Sequence, residues 1–225
     1  MEHTMKVIAR IHSDFPEKFG IPRQSGLVPA LRAKIVFEPE YRNPDALRGI
    51  EGFSHLWLIW QFSAAVRDTW SPTVRPPRLG GNERVGVFAT RSPFRPNAIG
   101  LSCVKLESVQ HEDGFGDVLI VSGADLMDGT PIFDIKPYLA YTDSHPEARG
   151  GFALTTDAVR VECPAALLGK LPEERRQTLL NVLAQDPRPG YQHEPGRVYG
   201  FPFAGFEVKF TVEGDLLTVR QIEGR

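Results

Sequence analysis

The chain has 225 residues, of which 41% are hydrophobic and 24% are charged, as is typical of a folded protein with one sizeable core and a small second unit. No apolar run approaches the roughly 20 residues that a membrane helix needs, and the N-terminal segment lacks the apolar stretch of a secretory signal. Cys103 and Cys163 are the only cysteines, which excludes a disulfide framework and favours a reducing cytoplasm.

The net charge of −2 conceals an uneven distribution of charge along the chain. Between Arg67 and Arg95, six arginines oppose two acidic residues, whereas ten acidic residues oppose Lys136 and Arg149 between Glu107 and Asp157. A local basic surface can hold phosphates even on an acidic protein, so the net charge does not exclude nucleic acid as a partner. The alternative is that these arginines are scattered, solvated charges.

The first 150 residues contain short β segments separated by turns rich in proline and glycine. A first strand is predicted over Lys6–His12, where apolar residues alternate with others. The almost wholly apolar run Phe53–Phe62 predicts a central buried strand, with Trp57 and Trp60 in the core and His55 as a hydrogen-bonded core histidine. Further strands are predicted at Lys34–Phe37, Val85–Thr90, Leu101–Val109, Val118–Ser122 and Pro131–Lys136. This spacing predicts a mainly β fold, either an antiparallel barrel or a sandwich.

The composition changes near residue 150. A helix is predicted over Leu171–Gln185, with Pro172 at its first helical position and leucines along one stripe. Strands at Phe206–Val212 and Leu216–Ile222 flank Glu213-Gly214-Asp215, which predicts a hairpin. We therefore expect residues 1–154 to form a β domain and residues 155–225 a small α+β domain.

Four stretches contain more Arg, Pro, Gly, Asn and Asp than a β core requires. They are FGIPRQSGL at Phe19–Leu27, PTVRPPRLGG at Pro72–Gly81, GVFATRSPFRPNAIG at Gly86–Gly100 and DLMDGTPIFDIKPY at Asp125–Tyr138. With the intervening RGIEGFSHLWLIW and with DPRPGY at Asp186–Tyr191, they resemble the TrmO-like (TsaA) family in order over nearly the whole chain. One departure is Ala98, where the family's RPNPIG motif has a proline; the change softens a turn and removes no functional group.

The resemblance implies a small antiparallel β-barrel with a small α+β C-terminal domain, and a homodimer whose two subunits share the site. The implied activity is transfer of a methyl group from S-adenosyl-L-methionine to N6 of N6-threonylcarbamoyladenosine, beside the anticodon of transfer RNA. The common methyltransferase fold is doubly wound, and its strand, glycine-rich loop and helix are not visible here. The cofactor site is expected to contain Pro22, Arg23, Gln24, Arg91, Leu101, Ser122, Gly123, Ala124 and Asp125, and the substrate side Arg95, Asn97 and Asp128.

The chemistry of two loops agrees with these roles. The amide of Gln24 both donates and accepts and could read an adenine edge, while the guanidinium of Arg23 could hold a carboxylate. Arg91 and Arg95, fixed between prolines, suit carboxylate or phosphate recognition. The alternatives are a solvated loop around Gln24, and salt bridges from the arginines to the acidic segment.

The small residues Ser122-Gly123-Ala124 let a backbone approach a ligand closely. Asp125 or Asp128 could accept from the cofactor's ribose hydroxyls or its amino group. Ordinary turn chemistry is an equally strong explanation, because Asp and Gly dominate turns.

Asp134, Lys136 and Tyr138 alternate by two, so on one strand they would share a face and could form an acid–base set. Asp134 or Tyr138 would take the proton from N6, with Lys136 stabilising the developing charge. The pair Asp134–Lys136 could equally be a surface ion pair. Two other functions stay open: a non-catalytic nucleotide- or RNA-binding barrel, and a hydrolase using the same carboxylates. The histidines show no metal-ligand spacing, so no metal is expected.

Overall fold

The computed structural model describes residues 3–153, 158–188, 194 and 196–225. The predicted boundary between residues 154 and 155 lies outside these ranges, as do the last three residues of the DPRPGY motif.

Six antiparallel strands form the larger unit, in the spatial order β1-β2-β7-β6-β3-β8, and β8 pairs again with β1 to give a closed barrel. They are β1 (Ala9–His12), β2 (Arg32–Phe37), β3 (His55–Gln61), β6 (Ile99–Glu112), β7 (Gly116–Ser122) and β8 (Pro131–Pro137). The mainly β prediction is confirmed. Short 3-10 turns and one turn of helix, α1 (Ala140–Asp143), fill the connections.

The barrel is filled by alternate residues of each strand. In β1, Ala9 and Ile11 are buried while Arg10 and His12 are exposed, as the predicted alternation required. The prediction for Phe53–Phe62 was wrong in one respect, because β3 buries only one face. Leu56, Leu58 and Trp60 point inward, whereas Trp57 lies half-buried outside the core. An apolar run in a barrel strand can therefore have an apolar outer face.

The prediction of a strand over Val85–Thr90 was also wrong. Only β5 (Val85–Gly86) is extended, and it pairs with β4 (Thr73–Val74) in a two-stranded ribbon. The chain then turns into a 3-10 segment, Val87–Ala89, in which Val87 is fully buried. The Thr90 hydroxyl donates to the carbonyl of Val87 (2.8 Å), so the turn replaces the expected strand by local hydrogen bonds.

The C-terminal residues form a four-stranded sheet in the order β10-β11-β12-β9, with two helices. The elements are β9 (Arg160–Glu162), α2 (Ala165–Leu168), α3 (Glu173–Ala184), β10 (Tyr199–Phe203), β11 (Phe206–Glu213) and β12 (Leu216–Gly224). The predicted hairpin is β11–β12 and is confirmed. Pro172 is the residue before α3 rather than its first helical residue, and β9 and β10 were not predicted.

The second hydrophobic core contains residues from both ends of the chain. Phe15, Val28 and Leu31, from the loop between β1 and β2, are buried together with α3 and the C-terminal sheet. Phe15 packs against Phe203 with ring centroids 5.4 Å apart, and the N–H of Ala204 donates to the carbonyl of Asp14 (2.9 Å). The β1–β2 loop is therefore as much a part of the C-terminal unit as of the barrel.

No helix within the described ranges has the length and apolar character needed to cross a membrane.

Candidate functional site

The tip of the β1–β2 loop fits between β6 and the end of β7. The N–H of Gly26 donates to the carbonyl of Gly123 (2.8 Å), and the hydroxyl of Ser25 accepts from the N–H of Cys103 (3.1 Å). Gly123 has φ 75°, and a Cβ there would lie 3.3 Å from Cα of Gly26. A glycine is thus favoured twice, by its backbone conformation and by the close approach of the two chains.

Four side chains meet beside this junction and form what we term the cofactor-side cluster: Gln24, Arg91, Ser102 and Asp125. Arg91 donates through Nη1 to the amide oxygen of Gln24, across 67 residues of sequence. The Ser102 hydroxyl donates to Oδ1 of Asp125 (2.5 Å). Burial raises the pKa of Asp125, while the Ser102 hydrogen bond and the nearby Arg91 charge act to lower it.

The other residues expected at the cofactor site differ in their contacts and in their burial. Arg23 donates to the carbonyl of Arg188 (2.8 Å) and, like Pro22, lines a cleft against the end of α3. The Ser122 hydroxyl donates to Glu107 (2.6 Å), and Ala124 is buried in the barrel core. Leu101 is exposed on the outer face of β6. Gln24, Arg91, Gly123 and Asp125 are the expected residues that the structure brings together.

A second group lines an open cleft, which we term the arginine cleft: Arg67, Phe94, Arg95, Asn97 and Phe133. The guanidinium of Arg67 lies 3.7 Å from the centre of the Phe94 ring. Arg95 donates through Nη1 to the carbonyls of Thr90 (3.1 Å) and Ser92 (3.2 Å), which fixes the loop. Within the described ranges, its Nε and Nη2 form no other hydrogen bond. Among the described residues, neither arginine forms an ion pair with a carboxylate, so the alternative of a salt bridge to the acidic segment is not seen there for Arg95.

The third group, Asp134 and Lys136, lies on the outer face of the barrel along β8. Asp134 and Lys136 form a partly exposed ion pair, with Nζ 2.9 Å from Oδ2. A bulge in β8 sets Asp134 opposite Ile59 and Ile132 opposite Trp60, so Phe133 is the extra residue. Asp134 therefore follows directly on a residue that lines the arginine cleft.

Tyr138 directly follows β8, and its ring lies on the same outer side of the barrel as Trp57, the cross-strand partner of Lys136. Its N–H donates to the carbonyl of His55 (2.9 Å), and its ring packs against Trp57 with centroids 5.6 Å apart. Asp143 accepts from the Leu139 N–H and the Trp57 indole, and these bonds hold the pKa of Asp143 below its usual range. Within the described residues, no hydrogen bond, ion pair or ring contact joins Tyr138 to Asp134 or Lys136.

Within one chain, Asp128 is separate from Arg95 and Asn97, the other residues expected on the substrate side. Its carboxylate accepts from the N–H of Ser13 (3.1 Å) and lies 3.4 Å from the ring of His12. These contacts are at the end of β1, whereas the arginine cleft includes Val7, which precedes β1. In this structure Asp128 has the turn-stabilising role that was its alternative.

Sequence reasoning missed two members of the site. Ser102 and Arg67 carry no local signal, since one is a serine within a strand and the other an arginine in a loop. Their importance comes from contacts with Asp125 and Phe94, which lie 23 and 27 residues further along the chain. Nothing in the periodicity could have identified them.

Two family models together cover most of the chain. The tRNA-methyltransferase O N-terminal domain matches residues 10–144, and the TrmO C-terminal domain matches residues 156–225. The chain belongs to the tRNA-methyltransferase O family. It is 42% identical to the tRNA (adenine(37)-N6)-methyltransferase of Escherichia coli, over 97% of each chain.

Two further proteins resemble the whole chain. A putative S-adenosylmethionine-dependent methyltransferase of Pseudomonas aeruginosa, RcsF, is 41% identical over 100% of this chain and 99% of its own. The crystal structure of TrmO from P. aeruginosa superposes with a TM-score of 0.81 and 37% identity, covering 100% of this chain and 98% of that one.

The cofactor-side cluster has the hydrogen-bond donors and acceptors that S-adenosylmethionine requires. The guanidinium of Arg91 suits the α-carboxylate of a methionine moiety, and the carboxyl group of Asp125 can accept from its α-ammonium. Gln24 adds an amide, and the glycines at 26 and 123 allow a close approach of backbone to ligand. No group of three His, Cys, Asp or Glu side chains within the described ranges could hold a metal ion.

Proposed function

We propose that the chain is an S-adenosylmethionine-dependent transfer RNA methyltransferase acting on N6 of N6-threonylcarbamoyladenosine beside the anticodon. Full-length similarity to a relative named tRNA (adenine(37)-N6)-methyltransferase is the observation that carries the proposal. The guanidinium of Arg91 close to the carboxyl group of Asp125 supports the choice of cofactor.

The cofactor binds, in this proposal, at the cofactor-side cluster with Pro22, Arg23, Leu101, Ser122, Gly123 and Ala124 around it. Arg91 holds the α-carboxylate, and Asp125 accepts from the ammonium or the ribose hydroxyls. When bound, the cofactor supplies an electrophilic methyl group on a positive sulfur. The task of the protein is then to orient N6 in line with that methyl group and to exclude water.

The substrate binds in the arginine cleft. Arg95 keeps its Nε and Nη2 donors for the threonyl carboxylate, and Asn97 is exposed at the same edge. The Phe94 ring offers a face on which a base can stack. Asp128, although expected on this side, is assigned a structural role instead.

The proton on N6 has to be removed, because its nitrogen lone pair is delocalised into a urea. We assign that step to Asp134 or Tyr138, with Lys136 stabilising the charge that develops. Asp134 is favoured by its position directly after Phe133, at the wall of the arginine cleft. Tyr138 is held further along the turn by His55 and Trp57.

We further propose that residues 1–154 are the catalytic barrel domain, that residues 155–225 are a C-terminal domain, and that the protein acts in the cytoplasm as a homodimer. Leu101, 54% exposed on the outer face of β6, is paired with Ile59 of β3, which makes an apolar surface suited to a second subunit. Light scattering at micromolar concentration should give twice the chain mass of 25.1 kDa. A fully active monomer contradicts the shared site.

Methyl incorporation from labelled cofactor into transfer RNA tests the function directly. Incorporation that disappears in Asp134→Asn, with the fold retained, supports both the activity and the assigned base. Cofactor binding without incorporation favours a non-catalytic nucleotide-binding barrel. Hydrolysis of the substrate without methylation favours the hydrolase alternative. Activity abolished by a chelator would contradict the expectation that no metal is needed.

A further inference from the structure

A chain of two hydrogen bonds runs from the barrel interior to Asp125, the first bond buried and the second partly buried. The indole N–H of Trp60, on β3, donates to the hydroxyl oxygen of Ser102, on β6, at 2.9 Å. Trp60 is 6% exposed and Ser102 is 1% exposed, so water does not compete for this bond. An indole N–H can only donate, so the single Ser102 proton is available for Oδ1 of Asp125, 2.5 Å away.

Gly100 makes this arrangement possible. It stands opposite Trp60 in the ladder between β3 and β6, and a Cβ at this position would lie 2.3 Å from Cε2 of the indole. The ring therefore lies over the bare backbone of β6. Ser102 is two residues further along, on the same face of the strand, within reach of the indole N–H. The glycine that ends the RPNAIG motif is needed for space beside Trp60.

We propose that Ser102 and Trp60 are positioning residues for the cofactor, holding the Asp125 carboxylate so that its remaining lone pairs face the cofactor's ammonium or hydroxyl groups. This role rests on the proposed function. The Ser102 hydroxyl occupies one acceptor position on Oδ1, and a carboxylate has about four. Fixing one oxygen removes the rotational freedom of a carboxylate and leaves the other oxygen oriented.

The groups around Asp125 determine how this role can be measured. Ser102 approaches from β6, the N–H of Ser25 from the β1–β2 loop, and Arg91, the charged group among them, from the loop after the 3-10 turn. Burial raises the pKa of Asp125 and these three neighbours lower it. Losing the Ser102 bond therefore raises the pKa of Asp125 further, and the carboxylate becomes protonated at a higher pH. If cofactor binding needs the ionised carboxylate, then on acidification the affinity should start to fall at a higher pH than in the wild type.

The test is calorimetric titration of the full-length protein with S-adenosylhomocysteine from pH 5 to pH 8. We expect Ser102→Ala to weaken binding at neutral pH by about 10-fold. The acid limb of the binding profile, that is, the pH range over which affinity is lost on acidification, should move to higher pH. Trp60→Phe should shift the limb in the same direction by less, because it weakens the Ser102 bond without removing it. Ser108→Ala is the matched control, being a serine of the same strand whose hydroxyl accepts from Gln110.

Three results would overturn the role. Wild-type affinity in Ser102→Ala at every pH shows that the hydroxyl is dispensable. An equal loss of affinity at all pH values, with no shift of the limb, shows a structural effect alone. Absence of binding by the wild type overturns the proposed cofactor and this role with it, and is recognised before any variant is made. Thermal melting of each variant shows that it is folded.

Discussion

The cofactor-side cluster and the arginine cleft both contain arginines, yet the two regions are built differently. In the cluster, Arg91 is bonded to Gln24 and Asp125 is bonded to Ser102, so each side chain is held by another. In the cleft, Arg95 is bonded to backbone carbonyls and Arg67 lies over an aromatic ring. The first region is organised before a ligand arrives and the second keeps positive charge open to one. This difference favours a small zwitterion in the first and a large anion in the second.

The largest expected effect tests whether the arginines of the cleft bind the threonyl carboxylate of the substrate. Transfer RNA with threonylcarbamoyladenosine should be methylated well, and the same RNA without that group roughly 10⁴-fold more slowly, because the site's cations are then left unpaired. The measurement is labelled methyl incorporation into matched RNA preparations. Equal incorporation into both would show that the arginines bind phosphates and that the cleft does not select the modification.

Arg95→Ala separates the two regions by their effects. It should lower kcat/KM for modified transfer RNA by about 100-fold, since a charged partner is lost, and should leave cofactor affinity unchanged. The matched control is Arg84→Ala, which removes the same charge from an exposed residue of the same segment, bonded to the Thr73 hydroxyl. If both variants lose activity equally, the cleft has no local specificity and only the net positive charge matters.

Arg91→Ala is the converse experiment. It should weaken S-adenosylmethionine binding by about 30-fold, measured by calorimetry, because a charge-assisted hydrogen bond is removed. Binding of transfer RNA should change little. Arg48→Ala, which breaks an exposed ion pair with Asp45, serves as control. Unchanged cofactor affinity in Arg91→Ala would mean that Arg91 contacts the RNA and not the cofactor. The proposed difference between the two regions would then be wrong.

The smallest effect concerns the loop that carries Gln24. Gly20 has φ 93° and its added Cβ would lie 2.3 Å from the ring of Phe201, whereas Gly49 has φ 88° and open space around it. Both alanine variants strain the backbone, but Gly20→Ala also overpacks the C-terminal core. It should therefore lower the free energy of unfolding by roughly 1–3 kcal/mol more than Gly49→Ala. Denaturant titration measures the difference. Equal losses of unfolding free energy in the two variants would mean that the Phe201 ring moves aside at no cost.

Residues whose environment depends on their own strand were predictable. The inward face of β1 followed from the alternation of Ala9 and Ile11, and the hairpin of β11 and β12 from its turn residues. The ion pair of Asp134 and Lys136 followed from their spacing on one strand. In each case the deciding contacts are between neighbours in sequence or in a simple ladder.

Residues whose environment depends on distant segments were not predictable. Tyr138 packs its ring on His55 and Trp57 of β3, which are 83 and 81 residues away in sequence. Trp57 was expected in the core, but a closed sheet has an outer face that can also be apolar. The link from Trp60 through Ser102 to Asp125 needs two strands in register and the loop after β7 beside them. Single-strand patterns do not contain that information.

The placement of Phe15, Val28 and Leu31 in the C-terminal core also determines when the site can form during synthesis. The partners of these side chains, such as Phe203, are made about 170–190 residues later. At roughly 5–20 residues per second, a ribosome takes on the order of ten to forty seconds to supply them. Until then the loop that carries Gln24 has only its contacts with the barrel, at Gly123 and Cys103, and lacks its packing in the C-terminal core. The cofactor-side cluster therefore gains the full support of this loop only when the last strands have been made, even though the residues of the cluster are translated earlier.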